Sequence, residues 1–486
     1  MPNAARAQLL ETRPRRYAAA RFQRGGTTVK EVLHFLDQER SRHLDELCTF
    51  LSIPSVSTRS EHKGDVRRAA QWVADQLGAA GLGEVTINDT PGHPVVTARS
   101  PEKKGAPTVL VYGHYDVQPA EPLELWQSPP FTPEVRGGKL FARGAADDKG
   151  QVFIHLKVLE AFRRTVGELP VNVKVLIEGE EEIGSPNLVP FVKKQAKALA
   201  CDVIVVSDTH MVDIRVPSIT TGLRGLASLE VTVQGAKGDL HSGSYGGSVA
   251  NPIQVLAEIL SACKHPKTGK VLIPGFYDQV RSLTKAERAS LAKVPHSDDK
   301  HAKSVGAPAV FGEKAYTTLE RIGARPTFEV NGIWGGYTGE GVKTVLPSQA
   351  HAKISMRLVA DQDPEAIVAL AEAHLKSLAP PHATVTVKRH KNLGWPVRVS
   401  TDFPAMRVAA DAVKTVFGKE PAFTLEGGSI PVVADFKQVL GRETILLGFG
   451  LPDDNLHAPN EKFDLRMLDK GMKTVTHFLA GLGRSA

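Results

Sequence analysis

Three short aliphatic runs each lead into a histidine or a carboxylate, and nothing else in this 486-residue chain narrows its possible folds as much. They are TVLVY ahead of His114 and Asp116, VKVLI ahead of Glu180, Glu181 and Glu182, and VIVV ahead of Asp208. Strands without polar alternation are buried on both faces, so helices must cover both sides of a mostly parallel sheet. Residues 149–164 and the stretch SPNLVPFVKKQAKAL have the helical patterning to do so. Strand ends that carry hard oxygen and imidazole donors are where such a sheet builds a metal site. The expected class is therefore α/β, a mostly parallel sheet with helices on both faces.

The chain is too long for a single core. Val32, Leu33, Leu36, Leu44, Leu47 and Leu51 recur at three-to-four spacing and predict one amphipathic helix, broken by IPSVS. A second helix carries Val66, Ala69, Val73 and Leu77, and strands follow in TINDT and HPVVTARS. After Thr221 the pattern changes. LRGLASLEVTVQG and AHAKISMRLVA alternate with period two, as half-exposed strands do, and TVTVKRH is a further strand. Helices are expected at 252–263 and over DPEAIVALAEAHLKSL, with a long irregular stretch, 269–299, between them. From Trp395 the α/β pattern resumes, with a helix near FPAMRVAADAVKTVF, the strand ETILLGFG and a last helix over 464–482. The expected organisation is a discontinuous larger domain, residues 27–219 and 396–486, with a smaller α+β domain, residues 220–395, inserted into it.

The net charge of +7 suggests a nucleic-acid partner until its distribution is read. Arg6, Arg13, Arg15, Arg16, Arg21, Arg24 and Lys30 stand against Glu11 alone, which leaves the remainder nearly neutral. Residues 1–26 read as a disordered basic tail, with a targeting peptide or polyanion-binding arm as alternatives. No apolar stretch approaches the ~20 residues of a membrane span. The three cysteines, Cys48, Cys201 and Cys263, are unpatterned and fit a reducing cytoplasm. None adjoins the acidic motifs, which excludes a thiolate metal site there.

The chemistry lies in the joint pattern. His114 and Asp116 are two apart and share a strand face. Asp116 is either the carboxylate that orients the imidazole or a ligand itself. Asp147 and Asp148 occupy a glycine-rich turn before a helix, where Asp148 suits an N-cap and Asp147 a metal. Three adjacent glutamates repel one another unless a cation relieves them. One can then ligate while a neighbour acts as general base. Asp208 ends an apolar strand, and His457 follows another.

In chain order, GHYDVQP, ARGAADDKG, EGEEEIGS, VVSD, LRGLASLEVTV, DLHSGSYGG, SMRLV, EGGSIP and DDNLHAPNEK together closely resemble the co-catalytic di-zinc metallopeptidase family of carboxypeptidases, aminoacylases and dipeptidases. Within it the chain is most similar to carnosinase-like cytosolic dipeptidases. The resemblance implies two divalent ions, Zn²⁺ first and Mn²⁺ as the alternative. His114 and Asp208 would hold one, Glu182 and His457 the other, and Asp147 would bridge them. Glu181 would be the general base in this register, with Asp116 beside His114 and Glu180 uninvolved. A cis peptide is expected between Asp147 and Asp148. His241 would polarise the scissile carbonyl, reaching across a homodimer formed through the inserted domain, and Arg357 would clamp a substrate carboxylate. Thr344, His390, Gly428 and Ser429 would complete the pocket, while Trp334 and Trp395 read as packing. The implied function is metal-dependent hydrolysis of dipeptides or other small peptides with a free C-terminal carboxylate, in the cytoplasm, with neither membrane nor nucleic acid as partner. An N-acyl amino-acid deacylase or a carboxypeptidase using the same site is the alternative.

Overall fold

In the computed structural model, which describes residues 25–391 and 393–485, the three aliphatic runs become neighbouring parallel strands. The basic segment ahead of residue 25 lies outside the described residues. Thr108–His114 runs between Asn172–Glu178 and Val203–Val206, parallel to both. Thr444–Leu446 continues the parallel group beyond Val203–Val206. Antiparallel strands flank this centre and complete a nine-stranded sheet. Val95–Arg99 and Gly83–Asn88 lie on one side. Ser218–Leu223 and Val397–Arg398 lie on the other, and Ala422–Glu426 pairs parallel to Ser218–Leu223. The fold is α/β, as expected. Parallel strands end on one edge of a sheet, so His114, the three glutamates and Asp208 emerge together. His114 is level with Glu178 in the register.

The helix Lys149–Thr165 is buried from Lys149 through Phe162. It packs between the strand Thr108–His114 and the helices Gly25–Gln38 and Leu465–Ser485. Its buried cations are all satisfied, as burial demands. Lys149 Nζ donates to the carbonyls of Phe50 and Ile53, at 3.1 and 2.6 Å. Lys157 Nζ donates to Gln76 and Glu160, at 2.6 and 3.0 Å.

A second core lies within residues 227–387. Strands Glu329–Gly335, Gln349–Leu358, Gly225–Gln234 and Thr384–Arg389 form an antiparallel sheet. Along Gly225–Gln234 burial alternates strictly, with Ala227, Leu229, Val231 and Val233 turned inward against helices Pro252–Ala262 and Pro364–Ser377.

Two local expectations are corrected. The helix predicted from Val32 to Leu51 is two helices, Gly25–Gln38 and Arg40–Leu51, with Glu39 between them at φ −89°, ψ 9°. The stretch 269–299 is not irregular throughout. Helix Lys285–Leu291 is closed by a capping box of Thr284 and Glu287, and Asp298–Ser304 starts at a Ser297 cap. Among the described residues no helix is long and apolar enough to cross a membrane, and the three cysteines are free.

Candidate metal centre

At the carboxyl edge of the sheet, His114 Nε2 lies 3.1 Å from Asp147 Oδ1 and 3.9 Å from Asp208 Oδ2. The other oxygen of Asp147 lies 3.0 Å from His457 Nε2, which is 3.3 Å from Glu182 Oε2. Two triples result, His114–Asp147–Asp208 and Asp147–Glu182–His457, each with ligand atoms within 4.8 Å of one another and each able to hold a metal ion. Asp147 belongs to both. Of the three glutamates, Glu182 is the one drawn into a triple.

The electrostatics of the bare cluster fit cations. Burial, then Asp148 and Asp147, push the Asp208 carboxyl well above its ordinary range. Burial and the Asp147 charge do the same to Glu182. Burial disfavours an Asp147 carboxylate, but the imidazoles of His114 and His457 outweigh it and hold the group below its ordinary range. His114 Nε2 is buried and, beyond its 3.1 Å approach to Asp147 Oδ1, meets no hydrogen-bond partner among the described residues. Carboxylates forced together in low dielectric, with an imidazole nitrogen left over, are what a divalent cation relieves. Imidazole nitrogen with carboxylate oxygen suits Zn²⁺ or Mn²⁺.

The surrounding residues fix these groups. His114 Nδ1 lies 3.2 Å from the Asp116 carbonyl and 3.4 Å from its Oδ1. The Asp116 carboxylate also accepts the backbone N–H groups of Glu181 and Glu182, at 3.3 and 3.2 Å, so it ties two strand ends together and belongs to neither triple. Asp148 stands at the N-cap position of its helix but makes no capping bond there, contrary to the sequence reading. Its Oδ2 accepts from His114 N–H at 3.2 Å instead. The Asp147–Asp148 peptide is cis, as expected. Glu180 is occupied elsewhere, accepting from His93 N–H and from the Asn187 amide. Gln118 Nε2 donates to Glu182 Oε2 at 2.8 Å. Glu181 has no side-chain hydrogen bond or ion pair among the described residues. Burial, with the Asp147 and Asp116 charges, pushes its carboxyl up to about 7.

Sequence reasoning missed Glu461. Its Oε1 accepts from the backbone of Ala146 and Asp147, at 2.9 and 3.1 Å, and its Oε2 from Gly144 N–H and Arg143 Nη1, at 2.9 and 2.8 Å. One buried carboxylate thus fastens the turn that presents Asp147. The signal was available only as the EK that closes DDNLHAPNEK.

The substrate-side candidates separate into two places. Arg357 Nη1 donates to Ser429 Oγ at 2.9 Å, and Ser429 Oγ donates to the Arg224 carbonyl. Gly428 accepts from Arg224 N–H at 3.0 Å, and Arg224 Nε donates to Gly427 at 3.0 Å. Arg224, also missed from sequence, is a second guanidinium at this spot. Burial and the Arg357 charge lower it to about 10. Neither arginine forms an ion pair among the described residues. His241 and Thr344 sit together on an exposed ribbon, Leu240–His241 against Val345–Leu346, where Ser242 N–H donates to the Thr344 carbonyl. No hydrogen bond or ion pair joins that ribbon to the metal triples among the described residues. His241 Nδ1 accepts the N–H groups of Gly243 and Ser244, at 3.1 and 3.3 Å, so the ring proton resides on Nε2. His390 is half-buried and held by its backbone N–H to Ser228, at 3.2 Å. Trp334 and Trp395 are not core packing: they are 43% and 38% exposed, and Trp334 stacks on His351.

The sequence profile of Peptidase family M20/M25/M40 matches residues 110–481. The Cys-Gly metallodipeptidase of Saccharomyces cerevisiae is 33% identical over 473 residues, which cover 93% of this chain and 98% of the relative. The structure of human carnosine dipeptidase 1 superposes with a TM-score of 0.79 at 29% identity, covering 94% of this chain and 98% of that one. The M20 family metallo-carboxypeptidase of Sulfolobus solfataricus superposes with a TM-score of 0.80 at 33% identity, covering 91% and 99%.

Proposed function

We propose that this chain, which belongs to Peptidase family M20/M25/M40, hydrolyses the peptide bond of dipeptides and other small peptides with a free C-terminal carboxylate in a metal-dependent reaction. The observation that carries the proposal is the pair of ligand triples sharing Asp147, with the uncommitted Glu181 carboxylate beside them. In this reading His114 and Asp208 hold one cation and Glu182 and His457 the other, with Asp147 common to both. Zn²⁺ is the preferred ion and Mn²⁺ the second choice. When bound there, such cations would supply Lewis-acid chemistry at the scissile carbonyl and the attacking water.

Glu181 takes the proton of that water and returns it to the leaving amine. A carboxyl lifted toward neutrality by burial is suited to both halves of that transfer. Asp116 positions the His114 imidazole. Arg357, with Arg224 and the Gly428–Ser429 backbone behind it, holds the substrate carboxylate, for which a guanidinium fork is well shaped. His241 donates from Nε2 to the oxyanion. Its ribbon belongs to residues 220–395 and has no hydrogen bond or ion pair with the triples among the described residues, which supports its being supplied by a second copy in a homodimer. Thr344 travels with it, and His390 lines the same inserted unit. Residues 27–219 and 396–486 form the catalytic unit, and the free cysteines suit a cytoplasmic setting.

The test is release of free amino acids from dipeptides and from N-acetyl amino acids by metal-stripped protein with Zn²⁺ or Mn²⁺ restored, beside Glu181→Gln. Metal-dependent dipeptide cleavage that falls at least ~100-fold in the variant supports the reading. Cleavage of acylated amino acids alone moves the function to deacylase. The similarity to the Sulfolobus enzyme supports a second reading, carboxypeptidase, which predicts faster trimming of longer peptides than of dipeptides.

A further inference from the structure

Between the metal triples and the arginine pair lies a carboxylate that the proposed reaction does not use. Glu426 ends the strand Ala422–Glu426, and Gly427, Gly428 and Ser429 follow it directly. Its Oε1 accepts from Thr220 Oγ1 at 2.8 Å and from the backbone N–H of His210 at 3.1 Å. His210 is two residues beyond Asp208, so these bonds fix the carboxylate to the metal-side strand end. Its other oxygen, Oε2, faces His210 Nδ1 at 3.9 Å, and no lysine or arginine pairs with Glu426 among the described residues. Both short hydrogen bonds fall on Oε1, so Oε2, with only a long imidazole contact among the described residues, can still accept from a cation.

The loop that follows it is open at Gly428. A Cβ at Gly428 would meet nothing within 4 Å, whereas one at Gly427 would stand 2.7 Å from Arg224 Nη2. The loop therefore runs close against the arginine and leaves room on its outer side. Ser429, which accepts from Arg357, is three positions beyond Glu426. Three residues of chain span at most ~11 Å, so a negative subsite and a positive one stand on a single short loop about one small peptide apart.

We propose that Glu426 binds the free α-ammonium group of the substrate's N-terminal residue, and so makes the site select dipeptides over N-acylated amino acids. This rests on the dipeptidase reading and deepens it. The carboxylate subsite at Arg357 is satisfied equally by Ala-Gly and by N-acetyl-glycine, so it cannot separate the two classes. Glu426 can, because acylation removes the charge it recognises, and an acyl group against it leaves a desolvated carboxylate unpaired.

The experiment compares Ala-Gly with N-propionyl-glycine, the same molecule without its ammonium group, as kcat/KM on metal-loaded enzyme. Wild-type enzyme prefers Ala-Gly. In Glu426→Gln the Ala-Gly value falls ~10- to 100-fold, the range for one charge-assisted hydrogen bond, and the preference shrinks with it. Thr220→Val, which frees the carboxylate without removing it, shifts the ratio in the same direction by less. Thermal unfolding verifies that both variants fold. If Glu426→Gln turns over neither compound, calorimetric titration of each ligand into it is read the same way: selective loss of Ala-Gly binding supports the assignment, and equal loss overturns it. An unchanged ratio in an active Glu426→Gln overturns the assignment, as does a wild-type enzyme indifferent to the ammonium group. Wild-type enzyme that cleaves N-propionyl-glycine and not Ala-Gly overturns the dipeptidase reading, and the assignment falls with it.

Discussion

Asp147 faces two imidazoles at once, and the carboxylate that lets it do so is Glu461, 314 positions away. Glu461→Gln puts an amide where four donors converge and strips buried Arg143 of its only carboxylate partner among the described residues. Stability is expected to fall by ~3 kcal/mol, the cost of an unpaired buried charge. Metal affinity falls ~10- to 100-fold, as when a residue orienting a ligand is lost. Urea unfolding and competition with a chelator read the two separately. A second expectation concerns His155, which is buried against Ser207 with burial pushing it down to about 4, from an ordinary value of 6.5. Below pH 6.5 the unfolded chain takes up a proton that the folded chain declines until about pH 4. Stability is therefore lost as pH falls through that window, by about 3 kcal/mol from this group. His155→Leu flattens the fall between pH 7 and pH 5 in urea titrations, because Ser207 keeps its bond to the Leu447 carbonyl. The five metal candidates were legible: His114, Glu182 and Asp208 at the ends of apolar runs, and Asp147 and His457 through their place in the joint motif pattern. Glu461, Arg224 and Glu426 lie inside the quoted motifs DDNLHAPNEK, LRGLASLEVTV and EGGSIP, but their partners are defined only by tertiary contacts, so no role could be read for them.

Among the elements, the strand Thr108–His114 and the helix Lys149–Thr165 approach most closely at Gly113. A Cβ there would lie 2.5 Å from Val152 Cγ2 and 2.9 Å from Asp148 Oδ2. Gly113→Ala is expected to push strand and helix apart at ~1–3 kcal/mol, with metal retention reduced because Asp148 holds the His114 N–H. Denaturant unfolding with metal analysis on the same sample measures both. The buried strands were readable from aliphatic runs and the lone sheet of the second core from period-two alternation. The split at Glu39 was not, since the apolar spacing continues across it. The helix Lys285–Leu291 was readable in principle: Thr284 and Glu287 carry the capping-box spacing, but a seven-residue helix with a single buried residue has almost no hydrophobic periodicity to show.

At the scale of the whole molecule, two cores divide the work. The large one carries the ligand triples, and the smaller one carries Arg357, His390 and, on an outer ribbon, His241. If His241 acts in a partner's site, His241→Ala and Glu181→Gln are each inactive alone. Co-refolded in equal amounts, they recover about a quarter of wild-type turnover, because each mixed dimer holds one intact site. Absence of recovery in demonstrated mixed dimers would place His241 in its own subunit's site. The order of strands has another consequence, for synthesis. Thr444–Leu446 lies in the sheet between Val203–Val206 and Ser218–Leu223, and His457 and Glu461 follow it. Until the ribosome has made those last segments, the growing chain holds an open strand edge and lacks His457, which completes the second triple. A product that stops short, in translation or by cleavage, is left a sticky fragment without hydrolytic power, so the cell meets this peptidase either finished or inert.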